Sequence, residues 1–223
     1  MDFTGFLGND AVKARLSGAF ASGRVAHSYL LCGPAGSGKH TLTRILSAAM
    51  QCEGRSGKIP CGVCSGCRKA LEGVHPDIIT VDDPDHKAMT VDPIRAARSD
   101  MFIRPNEGRR KIYVIPRGQD MNESAQNALL KIIEEPPAQV VFLLTCNNRA
   151  RVLPTILSRA AVLPLSVCSV QECETALHTL EPQMTAERIA QAARLAHGNI
   201  GKARMILQDE GSLKLACDAQ RIA

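Results

Sequence analysis

The segment from Gly33 to Thr41 constrains the fold of this chain more than any other feature of its sequence. It reads Gly-Pro-Ala-Gly-Ser-Gly-Lys-His-Thr, follows the apolar run Ser28–Cys32 and precedes a helical pattern. Glycines at these spacings let backbone N–H groups surround a phosphate, and the lysine reaches the outer phosphates of a nucleotide. The pattern therefore predicts a strand, a phosphate-binding loop and a helix. The predicted nucleotide-binding residues are Gly33, Gly36, Ser37, Gly38, Lys39, His40 and Thr41.

Short apolar runs alternate with helical patterns up to about residue 165, which predicts an α/β domain with a parallel sheet covered on both faces. The predicted strands are Ser28–Cys32, Asp77–Val81, Lys111–Ile115 and Val140–Thr145, and the predicted helices between them are Thr41–Met50, Pro93–Phe102 and Ser124–Ile133. Later helical patterns cover Val170–Leu180, Thr185–Ala196, Gly201–Leu207 and Leu213–Ile222. We therefore expect one domain over residues 1–165 and a small helical domain over residues 166–223.

The composition excludes several classes of protein. Of the 223 residues 45% are hydrophobic, and no apolar run approaches the roughly 18 residues that indicate a membrane span. The segment Met1 to Gly5 lacks the basic start and apolar run of a signal peptide, so we expect a cytoplasmic protein with no membrane partner. Aromatic residues make up only 3%, which disfavours a base-stacking surface. The net charge of +5 permits contact with nucleic acid without requiring it.

The positions that would organise Mg²⁺ beside a triphosphate depart from the usual pattern. His40 stands where a Ser or Thr hydroxyl would bind the cation, and imidazole is a poor ligand for a hard cation. Thr41 points about 100° further round the helix and should not replace it. The strand Lys111–Ile115 runs into Pro116 and Arg117 where carboxylates would stand. We expect weak Mg²⁺ binding, doubtful ATP or ADP binding, and no hydrolysis by this chain.

Four closely spaced cysteines predict a structural zinc site. Cys52, Cys61, Cys64 and Cys67 follow the spacing C-x8-C-x2-C-x2-C, within a module over about residues 51–68. Four thiolates suit tetrahedral Zn²⁺ and leave no open position, so the predicted role is folding rather than catalysis. We expect the other cysteines to be reduced and to pack as small apolar residues: Cys32, Cys146, Cys168, Cys173 and Cys217. We expect His75 and His86 to lie on the surface.

Further motifs resemble those of the bacterial clamp-loader subunits of the AAA+ class. The segment Ser124–Pro137 resembles their N-A-L-L-K-x-x-E-E-P-P motif, and Leu153–Arg159 resembles their S-R-C region. Gly198–Ala203 resembles the start of the helix that carries their second sensor, and a zinc insert after the phosphate-loop helix marks the bacterial subunits. The resemblance implies a P-loop AAA+ domain with an inserted zinc module, followed by a helical lid. A third, collar domain is not expected within these 223 residues.

The resemblance also implies partners and roles. Gamma/tau subunits of the family hydrolyse ATP, and the departures at His40, Pro116 and Arg117 indicate the non-hydrolysing kind of subunit instead. The implied partners are the gamma/tau and delta subunits and, through the complex, the sliding clamp and primer-template DNA of replication. Arg159 matches the arginine that the family offers to the ATP of a neighbouring subunit; an ordinary surface ion pair is its alternative.

Other residues carry a functional and a structural interpretation. Asn147 matches the family's polar first sensor, and its alternative is a turn residue at the end of a strand. Lys202 matches the second-sensor region, and its alternative is an exposed lysine on a helix. The basic group of Arg104, Arg109, Arg110 and Lys111 could contact phosphates, but a solvated face is the favoured interpretation. We interpret Glu134 and Glu135 as architectural or interfacial.

Three functions compete on this sequence. The first is a non-hydrolysing clamp-loader subunit that supplies Arg159 to a neighbour, and it is the one we favour. The second is an active gamma/tau-like ATPase, which would require Mg²⁺ despite His40 and Pro116. The third is a zinc-dependent nucleic-acid-binding module, which the low aromatic content and modest charge disfavour.

Overall fold

The computed structural model describes residues 1–54, 57–83 and 88–208, and that part of the chain contains a five-stranded parallel sheet. The strands are β1 (Ser28–Cys32), β2 (Ile78–Thr80), β3 (Lys111–Ile115), β4 (Val140–Cys146) and β5 (Ala161–Pro164). Their order across the sheet is β2-β3-β4-β1-β5. β1 is buried along its whole length and pairs with β4 and β5, so the chain leaves the sheet at Gly33 between two neighbouring strands.

The parallel α/β architecture predicted from sequence is confirmed, and the four predicted strands are present with bounds shifted by one residue at most at either end. The fifth strand, β5, was not predicted. It has only four residues and ends at Pro164, and a run that short gives no periodic signal. Its register with β1, in which Leu30 lies opposite Val162, is set by tertiary packing at the edge of the sheet.

Helices connect and flank the strands. They are α1 (Asp10–Ala21), α2 (Lys39–Gln51), α3 (Ser65–Glu72), α4 (Val91–Met101), α5 (Glu123–Glu134), α6 (Pro154–Leu157), α7 (Val170–Leu180), α8 (Ala186–Leu195) and α9 (Ile200–Gln208). Asn122 caps α5 by accepting from the N–H of Ala125, and Ser169 caps α7 by accepting from the N–H of Glu172. The predicted helix at 213–222 lies outside the described residues. No described helix has the length and apolar character needed to cross a membrane.

The chain divides into two compact units. The first comprises residues 1–3, 11–33 and 39–164 and holds the sheet, with Leu30, Tyr113 and Phe142 at its core. The second comprises residues 4–10, 34–38 and those from 165 on. The core of the second unit lies among α7, α8 and α9. The tip of the phosphate loop therefore belongs to the same unit as these three helices.

Two residues that the sequence analysis placed on the surface are buried, and those expectations were wrong. Lys111 is 2% exposed, and its ammonium donates to the carboxylate of Asp100 at 2.7 Å and to the carbonyl of Asp100 at 2.9 Å. His75 is 4% exposed, and its Nδ1 accepts from the N–H of Asp77. Both groups tolerate burial because each has a hydrogen-bond partner. His86 lies outside the described residues.

Candidate functional site

The phosphate loop connects β1 to α2, as the sequence predicted. Gly36 and Gly38 have φ values of +76° and +84°, in the left-handed region that residues with a Cβ adopt at a cost. The N–H of Gly33 donates to the carbonyl of Cys146 at 3.1 Å, which ties the first loop residue to the end of β4. The first residue of the loop is therefore hydrogen-bonded to the sheet. Glycine stands at the two positions where the loop backbone is left-handed.

The tip of the loop is closely packed within the second unit. Asn199 is 3% exposed; its Nδ2 donates to the carbonyl of Ala35, and its Oδ1 accepts from the N–H of Lys202 at 3.0 Å. A Cβ atom at Gly36 would overlap this Oδ1, and one at Gly38 would lie 2.9 Å from the ring of Phe6. Asn199 and Phe6 therefore occupy the space that a side chain at Gly36 or Gly38 would need.

Lys39 and Ser37 also make contacts within the loop. The ammonium of Lys39 donates to the carbonyl of Gly33 at 2.7 Å, and partial burial lowers the pKa of this ammonium. The N–H of Ser37 donates to the carbonyl of Pro34 at 3.2 Å. The hydroxyl of Ser37 is buried without a partner among the described residues. Some polar groups of the loop thus form hydrogen bonds with carbonyl groups of the loop itself.

The positions expected to organise Mg²⁺ hold an imidazole, a proline and a guanidinium. His40 is exposed at the start of α2 and Thr41 is half-buried. After β3, Arg117 has a φ of 53°, and its guanidinium donates to Asp82 at 2.6 Å. The neighbouring Asp120 lies 3.6 Å from the guanidinium of Arg151. Asp82 and Asp120 are therefore each paired with an arginine, and a metal cation beside them would compete with that arginine.

Asn147 and Lys202 are not brought to the phosphate loop by a side-chain contact in the described structure. Asn147 is exposed after β4, and its backbone N–H donates to the side chain of Gln119 at 3.0 Å. Lys202 is exposed on α9, and its backbone N–H donates to Asn199, which also holds the loop. The structural interpretations of both side chains thus have as much geometric support as the sensor interpretations.

Arg159 is half-exposed just after α6, on the first unit. Its Nη2 lies 3.0 Å from a carboxylate oxygen of Glu134, at the end of α5. Its Nη1 donates to the carbonyl of Thr155 at 3.2 Å and to the hydroxyl of Ser158 at 3.3 Å. The guanidinium is therefore held at the surface with part of its donor edge open to solvent.

The four predicted cysteines come together in a single cluster. The Sγ atoms of Cys52, Cys61, Cys64 and Cys67 lie within 4.8 Å of one another, and those of Cys61 and Cys67 are 3.9 Å apart. Tetrahedral Zn²⁺ with bonds of about 2.3 Å places its sulfur ligands about 3.8 Å apart. This cluster fits a structural metal ion such as zinc, which would bind the four thiolates and join the segments that carry them.

Backbone N–H groups point at the sulfur atoms of the cluster. The N–H groups of Gly54 and Cys61 lie 3.3 and 3.4 Å from Sγ of Cys52, and the N–H of Cys64 lies 3.4 Å from Sγ of Cys61. Such bonds lower the pKa of the Cys61 thiol to about 6, whereas burial raises the pKa of Cys67. N–H groups that favour the thiolate also favour metal binding.

Cys32 and Cys146 correct another expectation. They were predicted to be separate apolar thiols, but they are register partners on the adjacent strands β1 and β4, with Cα atoms 4.9 Å apart, and the structure joins them as a disulfide. The sequence contains no sign of this contact, because the two cysteines are 114 residues apart. Cys168 and Cys173 remain free thiols, as expected.

Comparison with known proteins places the chain in a family. The model of the family described as "DNA polymerase III, delta subunit" matches residues 8–169, so the chain belongs to that family. It is 34% identical over 179 residues to DNA polymerase III subunit delta' of Pseudomonas aeruginosa, covering 78% of this chain and 53% of that protein. It is 33% identical over 192 residues to DNA polymerase III subunit tau of Salmonella typhimurium, covering 86% of this chain and 29% of that protein.

The chain therefore spans less than two thirds of the length of these relatives. Among solved structures, the RuvB Holliday junction branch migration motor of Thermotoga maritima is similar, with a TM-score of 0.61 and 18% identity over 96% of this chain and 70% of that one. At 18% identity this similarity to RuvB shows only a shared fold, an AAA+-like α/β fold. The clamp-loader family predicted from the motifs is confirmed, and its delta' members are among the chain's relatives.

Sequence reasoning missed three residues that contact the phosphate loop or Arg159. Asn199 was noted only as part of a motif, and Phe6 and Glu134 were given no contact with a site residue. An Asn directly before a helix is a recognisable cap signal, and it could have drawn attention to Asn199. No pattern in the sequence indicates that Phe6 lies against Gly38 or that Glu134 lies beside Arg159, since these contacts join distant segments.

Proposed function

We propose that this chain is a non-hydrolysing, delta'-type subunit of a bacterial clamp loader, and that it helps to load a sliding clamp onto primer-template DNA. The observation that carries the proposal is the end of β3. Pro116 and Arg117 stand where a metal-binding carboxylate is needed, and Arg117 is bonded to Asp82. Together with His40 in the loop, this arrangement places no side-chain oxygen at the two sequence positions that would share a Mg²⁺ ion with a bound triphosphate.

Arg159 would act on a neighbouring subunit rather than on a nucleotide of this chain. A guanidinium stays charged and presents several donors in one plane, which suits a γ-phosphate whose charge spreads during transfer. Arg159 lies on the surface, 40% exposed, and can therefore reach a partner. The proposed partners are the gamma/tau and delta subunits, in the bacterial cytoplasm, and zinc at the cysteine cluster would support the fold.

Nucleotide binding and turnover by the isolated chain, with and without Mg²⁺, test the proposal. We expect no Mg²⁺-dependent hydrolysis, and any ATP or ADP binding should be no tighter in Mg²⁺ than in its absence. Lys39→Ala is the control, since it removes the ammonium at the loop and separates binding at the loop from binding elsewhere. Mg²⁺-dependent turnover that Lys39→Ala abolishes would instead establish the competing function, an active gamma/tau-like ATPase.

A further inference from the structure

We propose that Glu134 is a positioning residue for Arg159: its carboxylate fixes the direction in which the guanidinium is presented to a neighbouring subunit's nucleotide. The inference rests on the proposed function, in which Arg159 acts in that neighbour's reaction. The two residues lie on different elements of the first unit, separated by β4 in the chain. Their juxtaposition is therefore a product of the fold and not of a local sequence motif.

The guanidinium of Arg159 contacts other residues through its two Nη atoms and not through Nε in the described part of the chain. Nη2 forms an ion pair with Glu134 at 3.0 Å, and Nη1 donates hydrogen bonds to the carbonyl of Thr155 and the hydroxyl of Ser158. Nε has no protein acceptor among the described residues, although guanidinium groups carry five N–H donors in a plane. Contacts at both Nη atoms restrict the orientation of the guanidinium plane.

Glu134 is itself fixed in place. It is the last residue of α5, whose Leu129, Ile132 and Ile133 are buried in the core of the sheet domain. Pro136 and Pro137 follow and prevent the helix from continuing. A carboxylate at a helix C-terminus is opposed by the helix dipole, so a cation is needed there to offset it. Arg159 supplies such a cation beside Glu134, in addition to Lys131 in the last turn of α5.

The main chain at Arg159 is anchored with similar firmness. Ile156 of α6 is fully buried, and the N–H of Arg159 donates to the carbonyl of Ile156 at 3.1 Å. The hydroxyl of Ser158 donates to the carbonyl of Thr155 at 2.9 Å, which orients its oxygen toward the guanidinium. Two rigid anchors and one connecting ion pair leave the side chain of Arg159 little freedom, and catalysis by a positioned group benefits from that restriction.

The first experiment follows the guanidinium directly in the isolated full chain. Side-chain ¹⁵N NMR of Arg159, assigned with Arg159→Lys, reports rotation about the bonds to Nη. In the wild type we expect hindered rotation of Nη2, and in Glu134→Gln we expect faster rotation and a shifted Nε–H signal. Glu135→Gln removes a neighbouring exposed carboxylate without a contact to Arg159 and should leave the signals unchanged. Identical Arg159 spectra in wild type and Glu134→Gln would overturn the proposal.

The second experiment measures ATP turnover by a reconstituted clamp-loader complex that contains this chain. We expect Glu134→Gln to lower kcat by about tenfold with KM for ATP little changed, within the roughly 100-fold that misplacing a reacting group by 1 Å can cost. Glu134→Asp, which keeps the charge, should recover part of the loss, and Glu135→Gln should have no effect. A merely structural role would not separate kcat from KM in this way.

The outcomes distinguish this inference from the function it rests on. If Arg159→Ala lowers turnover but Glu134→Gln does not, or if Glu134→Gln raises turnover, Glu134 is not a positioning residue and the proposed function stands. If Arg159→Ala leaves turnover unchanged, Arg159 has no role in the neighbour's reaction. This inference then fails together with the part of the proposed function that assigns Arg159 to a neighbour, whereas the lack of hydrolysis by this chain is tested separately.

Discussion

At the scale of single residues, Gly36 is one of the described glycines that leave little room for a side chain. It combines a φ of +76° with direct packing against the side chain of Asn199, whose own hydrogen bonds to Ala35 and Lys202 prevent it from moving aside. A residue with a Cβ at this position meets two independent penalties. The backbone penalty for leaving glycine in the left-handed region is about 1–2 kcal/mol, and forcing an extra methyl into a packed site costs roughly 1–3 kcal/mol.

We expect Gly36→Ala to lower the free energy of unfolding by about 2–5 kcal/mol, the sum of these two penalties. Urea denaturation followed by circular dichroism measures the change. Gly23 provides a matched control, because it has a φ of +69° but a Cβ added there would meet no atom within 4 Å, so Gly23→Ala should cost only the backbone penalty.

A double-mutant cycle then isolates the steric contact at Gly36. In an Asn199→Ala background, the cost of Gly36→Ala should fall toward that of Gly23→Ala, because the overlapping Oδ1 is gone. Equal costs for Gly36→Ala and Gly23→Ala in the wild-type background would show that Asn199 does not pack against the loop in solution.

At the scale of secondary-structure elements, the cysteine cluster joins α2 to α3. Cys52 follows the last residue of α2, Cys64 caps α3 by accepting from the N–H of Cys67, and Cys67 lies within α3. Gly66 approaches the end of α2 so closely that a Cβ there would lie 2.5 Å from the carbonyl of Gln51. α3 has only eight residues, too few for an isolated helix to be stable in water, so its stability depends on this junction.

We expect freshly purified, reduced protein to contain about one equivalent of zinc, and Cys64→Ala to lose it. Loss of a structural metal belongs with the substitutions that cost more than about 4 kcal/mol, which for a chain of this size lowers the melting temperature by roughly 8–16 °C. Metal analysis by mass spectrometry and a thermal scan provide the two measurements.

Cys168→Ser serves as the control for the cluster, since Cys168 lies outside it and its thiol donates to the carbonyl of Gly198, as a serine hydroxyl also can. We expect this variant to keep its zinc. Stoichiometric zinc in Cys64→Ala, or no zinc in the reduced wild type, would contradict the assignment of the cluster as a metal site.

For the whole molecule, three groups with lowered pKa values make stability depend on pH in the same direction: Asp77, Asp100 and His75. Burial alone raises the pKa of Asp77, but the N–H groups of Asn106, Glu107 and Gly108 donate to its carboxylate and the net pKa is lowered. The pKa of Asp100 is lowered by hydrogen bonds from Lys111 and Tyr113. Burial lowers the pKa of His75.

A lowered pKa means that the folded state binds fewer protons than the unfolded state, so stability rises with pH. The carboxylate contributions are complete above the ordinary value of 3.8 and are lost as the pH falls through the folded pKa values. The contribution of His75 is complete above 6.5 and is lost below it in the same way. Between about pH 7 and pH 3 the free energy of unfolding should therefore fall in two steps on acidification, one below pH 6.5 from His75 and one below pH 3.8 from the two carboxylates.

Urea denaturation of wild type and Asp77→Asn across this range tests the prediction. We expect Asp77→Asn to be less stable at pH 7 and to show a shallower fall in stability on acidification, because the lost group no longer titrates. Asp92→Asn removes a carboxylate that is 82% exposed and should keep the wild-type slope. Parallel curves for wild type and Asp77→Asn would show that Asp77 does not contribute to the pH dependence.

The sequence by itself determined the class of fold, the phosphate loop, the cysteine cluster and the family. These features depend on local signals: the strand–glycine–helix order around Gly36, the short spacings from Cys52 to Cys67, and contiguous motifs such as Ser124–Pro137. Local spacing suffices for them because the residues involved are neighbours in the chain or follow a fixed period.

Only the tertiary structure decided the contacts between distant segments. Each of these contacts brings together residues whose separation in sequence carries no periodic signal. The pairs are Asn199 and Ala35, Glu134 and Arg159, Cys32 and Cys146, and Lys111 and Asp100. Such contacts are selected by the packing of the whole core, which fixes strand order and helix position before any one pair can meet. For that reason the sequence predicted which groups this protein possesses, and the fold determined what each of them touches.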